Sequence, residues 1–246
     1  MRISFTTGLS ALAISLLLGG CQTLGSTENE SAKIDAISDS SVTEGSSESQ
    51  GQTSEVEHNH SHSHDAESEQ IYKGYFEDSQ VKDRSLSDWE GDWQSVYPYL
   101  QDGTLDEVFA YKAEHKGDMT AEEYKEYYNA GYQTDVDRIV IHEGTVTYFK
   151  DGEETAGEYI YDGYEILTYD VGNRGVRYIF KLAEVAAGLP TYIQFSDHSI
   201  YPTEADHYHL YWGNDREALF DEVVNWPTYY PSEMDGHGIA HEMIAH

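Results

Sequence analysis

The chain has 246 residues and carries 46 Asp and Glu against 14 Lys and Arg, a formal charge of −32. So few cations argue against nucleic-acid binding, which depends on basic contacts to phosphate, while the same surface draws in cations. Cys21 is the single cysteine, which excludes an internal disulfide and thiolate ligands within the folded part. Any metal held there is held by imidazole and carboxylate.

Arg2 precedes the apolar run LSALAISLLLGG, which ends at Cys21. The run is about a dozen residues, short of the roughly 20 that span a bilayer, and fits the h-region of a secretory signal over residues 1–20. Small residues directly before the cysteine, LGGC, resemble the bacterial lipobox. That resemblance implies cleavage before Cys21, acylation of Cys21, and a chain anchored to a bacterial membrane outside the cytoplasm, in the periplasm or on the outer cell surface. Residues 21–70 then read as a tether. From residue 22 they are rich in Ser, Glu, Thr and Gln, lack aromatic residues, and bury too little apolar surface to offset chain entropy, so disorder is expected. Near the end of this stretch EHNHSHSHD places His58, His60, His62 and His64 at alternate positions. Such a segment captures Zn²⁺, Ni²⁺ or Cu²⁺ with low affinity, because ordering the chain offsets much of the coordination energy.

Beyond the tether the composition changes at Ile71: aromatic residues follow from Tyr72 and continue to NWPTYYP, which predicts one folded domain over 71–246. Its first third reads as helical. TLDEVFAYKAEHKG opens with Thr104 and Glu107 at capping-box spacing and stops at Gly117; TAEEYKEYYNAG repeats the pattern with Thr120, Glu123 and Gly131. After Asp135 the period changes to two. RIVIH, TVTYFK, GEYIY, YEILTYD, VRYIFKL, TYIQFSD and HYHLYW predict seven short strands, most of them separated by Gly-containing turns. The fold class expected is mainly β: an up-and-down antiparallel barrel, with helices at the start of the domain and near its end. DREALFDEVVNW is expected as a closing helix and DGHGIAHEMIAH as a last helical turn.

Residues two apart on a strand share a face, so His207 and His209 point the same way, with Tyr208 and Leu210 opposite. A hairpin through SIYPTEAD would lay His198 antiparallel to the pair, within the cross-strand spacing of about 4.5–5.5 Å that lets three imidazoles share one ion. Asp197, Glu204 and Asp206 are placed to orient the rings. Spacing alone also permits a second reading, in which the His-x-His pair simply faces solvent. In the tail, His237 and His241 align on a helical turn, and His246 is placed to fold back as a fourth ligand. His115 and His142 read as helix-end and turn residues.

The blocks LSDWEGDWQSVYPYLQDGTLDEVF, YDGYEILTYDVGNRGVRYIF, YIQFSDHSIYP, HYHLYWGND and NWPTYYP closely resemble the ZinT family of bacterial extracytoplasmic zinc- and cadmium-binding proteins, over essentially all of residues 71–246. The resemblance implies a calycin-type, lipocalin-like barrel with a metal site at its mouth, built on His198, His207 and His209. It leaves the fourth position to water, an anion or a tail histidine, here His246. It also implies delivery of zinc to the solute-binding component of a zinc ABC importer, or buffering of Zn²⁺ and Cd²⁺, rather than catalysis. The paired cysteines of the family would fall near Gly157 and Leu182, so that cross-link is missing. Two other readings are compatible with the residues. One is a hydrolase or hydratase using a three-histidine zinc-water, although no general base or HExxH accompanies the histidines. The other is a lipocalin-like binder of an apolar small molecule, which the bulky Tyr and Phe of the strands argue against.

Overall fold

The computed structural model describes residues 66–169, 172–221 and 225–245, all within one compact unit, Asn59–His246. Cys21, His58, His60, His62, His64 and His246 lie outside the described residues. None of the described helices is long and apolar enough to cross a membrane.

Helix α1 (Ala66–Tyr72) leads through two short 3₁₀ turns to strand β1 (Gly91–Ser95) and helices α2 (Tyr97–Gln101), α3 (Asp106–Lys116) and α4 (Ala121–Tyr132). Strands β2 (Arg138–His142), β3 (Thr145–Lys150), β4 (Glu153–Thr168), β5 (Arg174–Leu182), β6 (Tyr192–Ser196), β7 (Tyr208–Gly213) and β8 (Thr228–Pro231) follow, and α5 (Gly236–Ala245) ends the described chain. Each strand pairs antiparallel with its sequence neighbour. The sheet closes where Trp93, Gln94 and Ser95 of β1 meet Pro231, Tyr230 and Tyr229 of β8.

The barrel confirms the expected class and corrects its strand list. GEYIY and YEILTYD form one 16-residue strand, β4, whose register against β5 shifts between Tyr161 and Tyr164. Gly163 supplies the φ of +92° that this bulge uses. Two strands were not foreseen: β1, in a charged stretch with no β-branched residue, and β8, four residues held between prolines. The capping box of Thr120 and Glu123 forms at the start of α4, and Gly117 closes α3 in the left-handed region at φ 67°. The box expected at Thr104 and Glu107 does not form; α3 starts at Asp106 with no side-chain cap.

The closing helix expected over DREALFDEVVNW is absent from its described parts, residues 215–221 and 225–226, which form turns and irregular chain. Asp215 Oδ1 accepts the N–H groups of Glu217 and Ala218 as a helix start would, but the segment is drawn onto the sheet instead. Arg216 bonds Glu165 and Asp162 through its side chain, and its carbonyl accepts from Gln194 Nε2. The tail, conversely, is a full ten-residue helix.

The lumen is filled with side chains. Trp89 stacks on Phe195 at 4.7 Å between centroids, and Phe195 meets Phe180 and Tyr208 edge-on. With Tyr178 and Leu210, all of them are 0–1% exposed, and each such side chain contributes about 1.5–3 kcal/mol of burial energy. This packing occupies the barrel interior that the apolar-ligand reading would use. A second apolar cluster, including Phe109, Tyr124, Tyr132, Tyr230, Ile239 and Met243, joins α3, α4 and α5 to the outer side of β8. Leu182 fills the space above Gly157: a Cβ there would lie 2.6 Å from Leu182 Cδ1.

Candidate metal centre

Alternation on β7 sends Tyr208 and Leu210 into the lumen and leaves His209 on the outer side of the wall. His207, one residue before the strand, turns the same way and stacks on Tyr230 at 5.0 Å and 12°. Ser196, the last residue of β6, is the register partner of His209. Two residues on, His198 adopts φ 66°, a left-handed conformation that histidine tolerates better than most side chains. This folds its ring back over the strand end. The three rings form a nearly equilateral triangle, with centroids 6.0, 5.7 and 6.0 Å apart. Their ligating nitrogens all lie within 4.8 Å of one another. Imidazoles sharing one zinc at about 2.0–2.1 Å stand about 3.3 Å apart nitrogen to nitrogen, so small ring rotations close the triangle on an ion. Among the described residues no other group of three His, Cys, Asp or Glu side chains converges in this way. The three histidines gather at the rim, where β6 ends and β7 begins.

Neighbouring groups fix the proton on one ring. His209 Nδ1 lies 2.8 Å from Thr228 Oγ1, and the Thr228 hydroxyl donates its only hydrogen to the Trp226 carbonyl at 2.9 Å. The hydroxyl therefore accepts at the histidine, Nδ1 carries the hydrogen, and Nε2 keeps its lone pair for a metal. Burial, then the charges of His198 and His207, and then Arg177 hold the His209 pKa well below the ordinary histidine value. The ring is thus neutral and ready to ligate near neutral pH. Arg177 is 2% exposed, and its Nε and Nη1 make no hydrogen bond; the guanidinium lies over the Tyr211 ring.

Tyr72, at the end of α1, stacks on His198 at 4.5 Å, and burial, followed by the charges of Tyr128 and Glu242, pushes its phenol up to about 12. The histidines open onto a cavity of about 310 Å³ whose wall includes Lys112, Tyr128, Tyr230 and Met243.

Of the carboxylates expected to orient the rings, Asp197 is engaged elsewhere. Asp197 Oδ1 accepts from Arg84 and from the N–H of Ser199, and Oδ2 makes no hydrogen bond. Glu204 and Asp206 line a smaller cavity beside His198 and His207. Sequence reasoning thus found the three imidazoles and missed Thr228, Tyr72, Tyr230 and Arg84, which hold the site. Thr228 and Tyr230 lie in the NWPTYYP block, where reading TYYP as a strand would have paired Thr228 with His209. His237 and His241 stand together on α5 and are not members of this group.

A family model described as ZinT (YodA) periplasmic lipocalin-like zinc-recruitment matches residues 67–246. The "Probable metal-binding protein YrpE" of Bacillus subtilis is 71% identical over 253 residues, covering 100% of both chains. The zinc-binding protein AdcA of Streptococcus pyogenes is 56% identical over 180 residues, which are 72% of this chain and 35% of AdcA, so the match spans only about a third of that relative. The crystal structure of the Zn(II)-bound ZinT-like domain of Streptococcus pneumoniae AdcA superimposes with a TM-score of 0.69 at 52% identity, over 71% of this chain and 97% of that domain. With its family model matched over the whole barrel and its three histidines converging at the rim, the chain belongs to the ZinT family.

Proposed function

We propose that the protein binds zinc through His198, His207 and His209 and serves in zinc recruitment outside the cytoplasm, either handing the ion to a zinc importer or buffering it. The observation that carries this reading is the convergence of three imidazoles around one point, with one of them held as the tautomer that leaves Nε2 free. Three neutral ligands leave a fourth position open, which favours exchange over permanent storage. His246 at the chain end is a candidate for that position. Cadmium is a second cargo on this reading, and Ni²⁺ and Cu²⁺ are competitors that imidazole also accepts.

The remaining organisation is part of the same proposal. Residues 1–20 serve as a lipoprotein signal, Cys21 takes the lipid anchor, and 21–70 is the tether on which His58, His60, His62 and His64 capture metal weakly. Residues 71–246 are the domain that retains it. The acidic surface raises the local cation concentration. The solute-binding component of a zinc ABC importer is the proposed recipient. Relatives that carry a ZinT-like domain within a longer zinc-binding protein support that pairing.

Calorimetric zinc titration with a competing chelator tests the reading on three proteins: the mature chain, the chain without residues 22–70, and the His207→Ala/His209→Ala variant. Tight 1:1 binding that survives loss of the tether and disappears in the double variant supports it. Binding that follows the tether instead overturns it.

A further inference from the structure

Helix α5 carries two histidines that the rim site does not use. His237 and His241 are four apart and project from one face, with ring centroids 4.5 Å apart at 69°. Both are exposed, while Gly236, Ile239, Ala240 and Met243 form the buried face of the helix. The pair does not sit on a frayed end. Asp235 Oδ1 accepts the Gly238 N–H at 2.8 Å, and the backbone of Gly236 packs so closely on Tyr99 that a Cβ there would lie 2.7 Å from Tyr99 Cδ1. Across the seam with α3, Glu107 brings Oε1 to 3.4 Å from His237 Nδ1. That is the carboxylate whose expected capping role goes unfilled.

We propose that His237 and His241 form a second divalent-cation site, suited to zinc and neighbouring late first-row ions, with Glu107 as its positioning carboxylate. Imidazoles at i and i+4 on a helix have the separation that lets two rings close on one ion, as in helical zinc motifs. A carboxylate facing Nδ1 accepts a hydrogen bond from the N–H of that ring and leaves the Nε2 lone pair to the metal. This role for Glu107 agrees with the rim being the only described place where three ligating atoms converge. Two protein ligands bind more weakly than three, so this site fills second and exchanges faster. Its helix runs on to Met243 in the wall of the cavity that holds the rim histidines, which places the second ion on the element bordering the first.

The test uses the full chain carrying His58→Ala, His60→Ala, His62→Ala and His64→Ala, so that the tether does not compete. The protein is first loaded with one equivalent of zinc, and a second equivalent is then titrated against a weak chromogenic chelator at pH 7.5. His237→Ala, and separately His241→Gln, should weaken the second equivalent at least tenfold, and Glu107→Gln about tenfold. The first equivalent and the far-ultraviolet circular dichroism should be unchanged in all three. Absence of a second equivalent, or one indifferent to both histidine substitutions, overturns the proposal. Failure of the first equivalent would instead count against the rim site, on which this inference does not depend.

Discussion

Arg84 Nη1 donates to Asp197 Oδ1 over 2.7 Å, with the two side chains 0% and 2% exposed. The same guanidinium donates through Nε to Asp88 Oδ2 at 2.8 Å and through Nη2 to the Thr203 carbonyl at 2.6 Å, and it lies 4.0 Å from the centroid of Trp89. Asp88 continues the clamp. Its Oδ2 accepts the Thr203 N–H and its carbonyl the Ala205 N–H. One buried cation therefore fixes the start and middle of the 197–207 loop, whose ends carry His198 and His207.

Arg84→Met should destabilise the protein by about 3–5 kcal/mol, the cost of leaving buried carboxylates without their partner, and should weaken zinc binding as well. Arg84→Lys should restore little, because a point charge does not make three divergent hydrogen bonds. Urea unfolding of the metal-free variants measures the first effect and zinc competition the second. An Arg84→Met protein of full stability and affinity would show that the clamp does not shape the site.

Thr228→Val removes the acceptor that holds the His209 tautomer. Zinc affinity should fall about 10- to 100-fold, the usual effect of removing an outer hydrogen-bond partner of a ligand, and Thr228→Ser should recover most of it. Affinity unchanged in Thr228→Val would mean that the ring finds its orientation without the hydroxyl.

His209 is buried with a pKa held well below its unfolded value of about 6.5. As pH falls below 6.5 the unfolded chain takes up this proton and the folded one does not, so stability present above 6.5 is lost towards the folded pKa. The slope contributed is at most about 1.4 kcal/mol per pH unit. Metal-free wild type should therefore lose stability faster between pH 6.5 and 5 than His209→Gln, compared by urea titration. Equal slopes would show that the ring takes up its proton freely in the folded state.

Buried tyrosines act at the opposite end of the scale. Tyr132, Tyr148 and Tyr208 have phenols raised well above 10, mainly by burial. The folded chain keeps these protons after the unfolded chain has lost them, so their contribution is complete below pH 10 and declines above it. Absorbance at 295 nm should show these three buried rings ionising only as the chain unfolds. A single step near pH 10 with the fold intact would contradict this packing.

What the sequence revealed follows the strength of local signals. The period of two in TVTYFK and VRYIFKL, and the Gly-bearing turns between strands, encode the barrel directly. β1 and β8 escape because their pairing is decided by closure of the sheet, a non-local event that GDWQS and TYYP do not advertise. The helix expected from DREALFDEVVNW is missing from its described residues for the same reason: Arg216 is held by Asp162 and Glu165, about fifty residues away. His207 and His209 were legible as a pair because alternation alone aligns them. Their supports were not, since Tyr72 and Thr228 reach the site from α1 and β8. Asp197 was misread because the sequence gives no sign that Arg84, 113 residues earlier, takes its charge.

The most direct test of the central claim is zinc K-edge X-ray absorption on the full chain loaded with one equivalent of zinc, with His207→Ala/His209→Ala for comparison. Three imidazole nitrogens at about 2.0–2.1 Å, with their outer-ring scattering lost in the double variant, is the result predicted. A first shell dominated by carboxylate oxygen, or an imidazole pattern that persists in the double variant, would place the ion elsewhere and contradict the account.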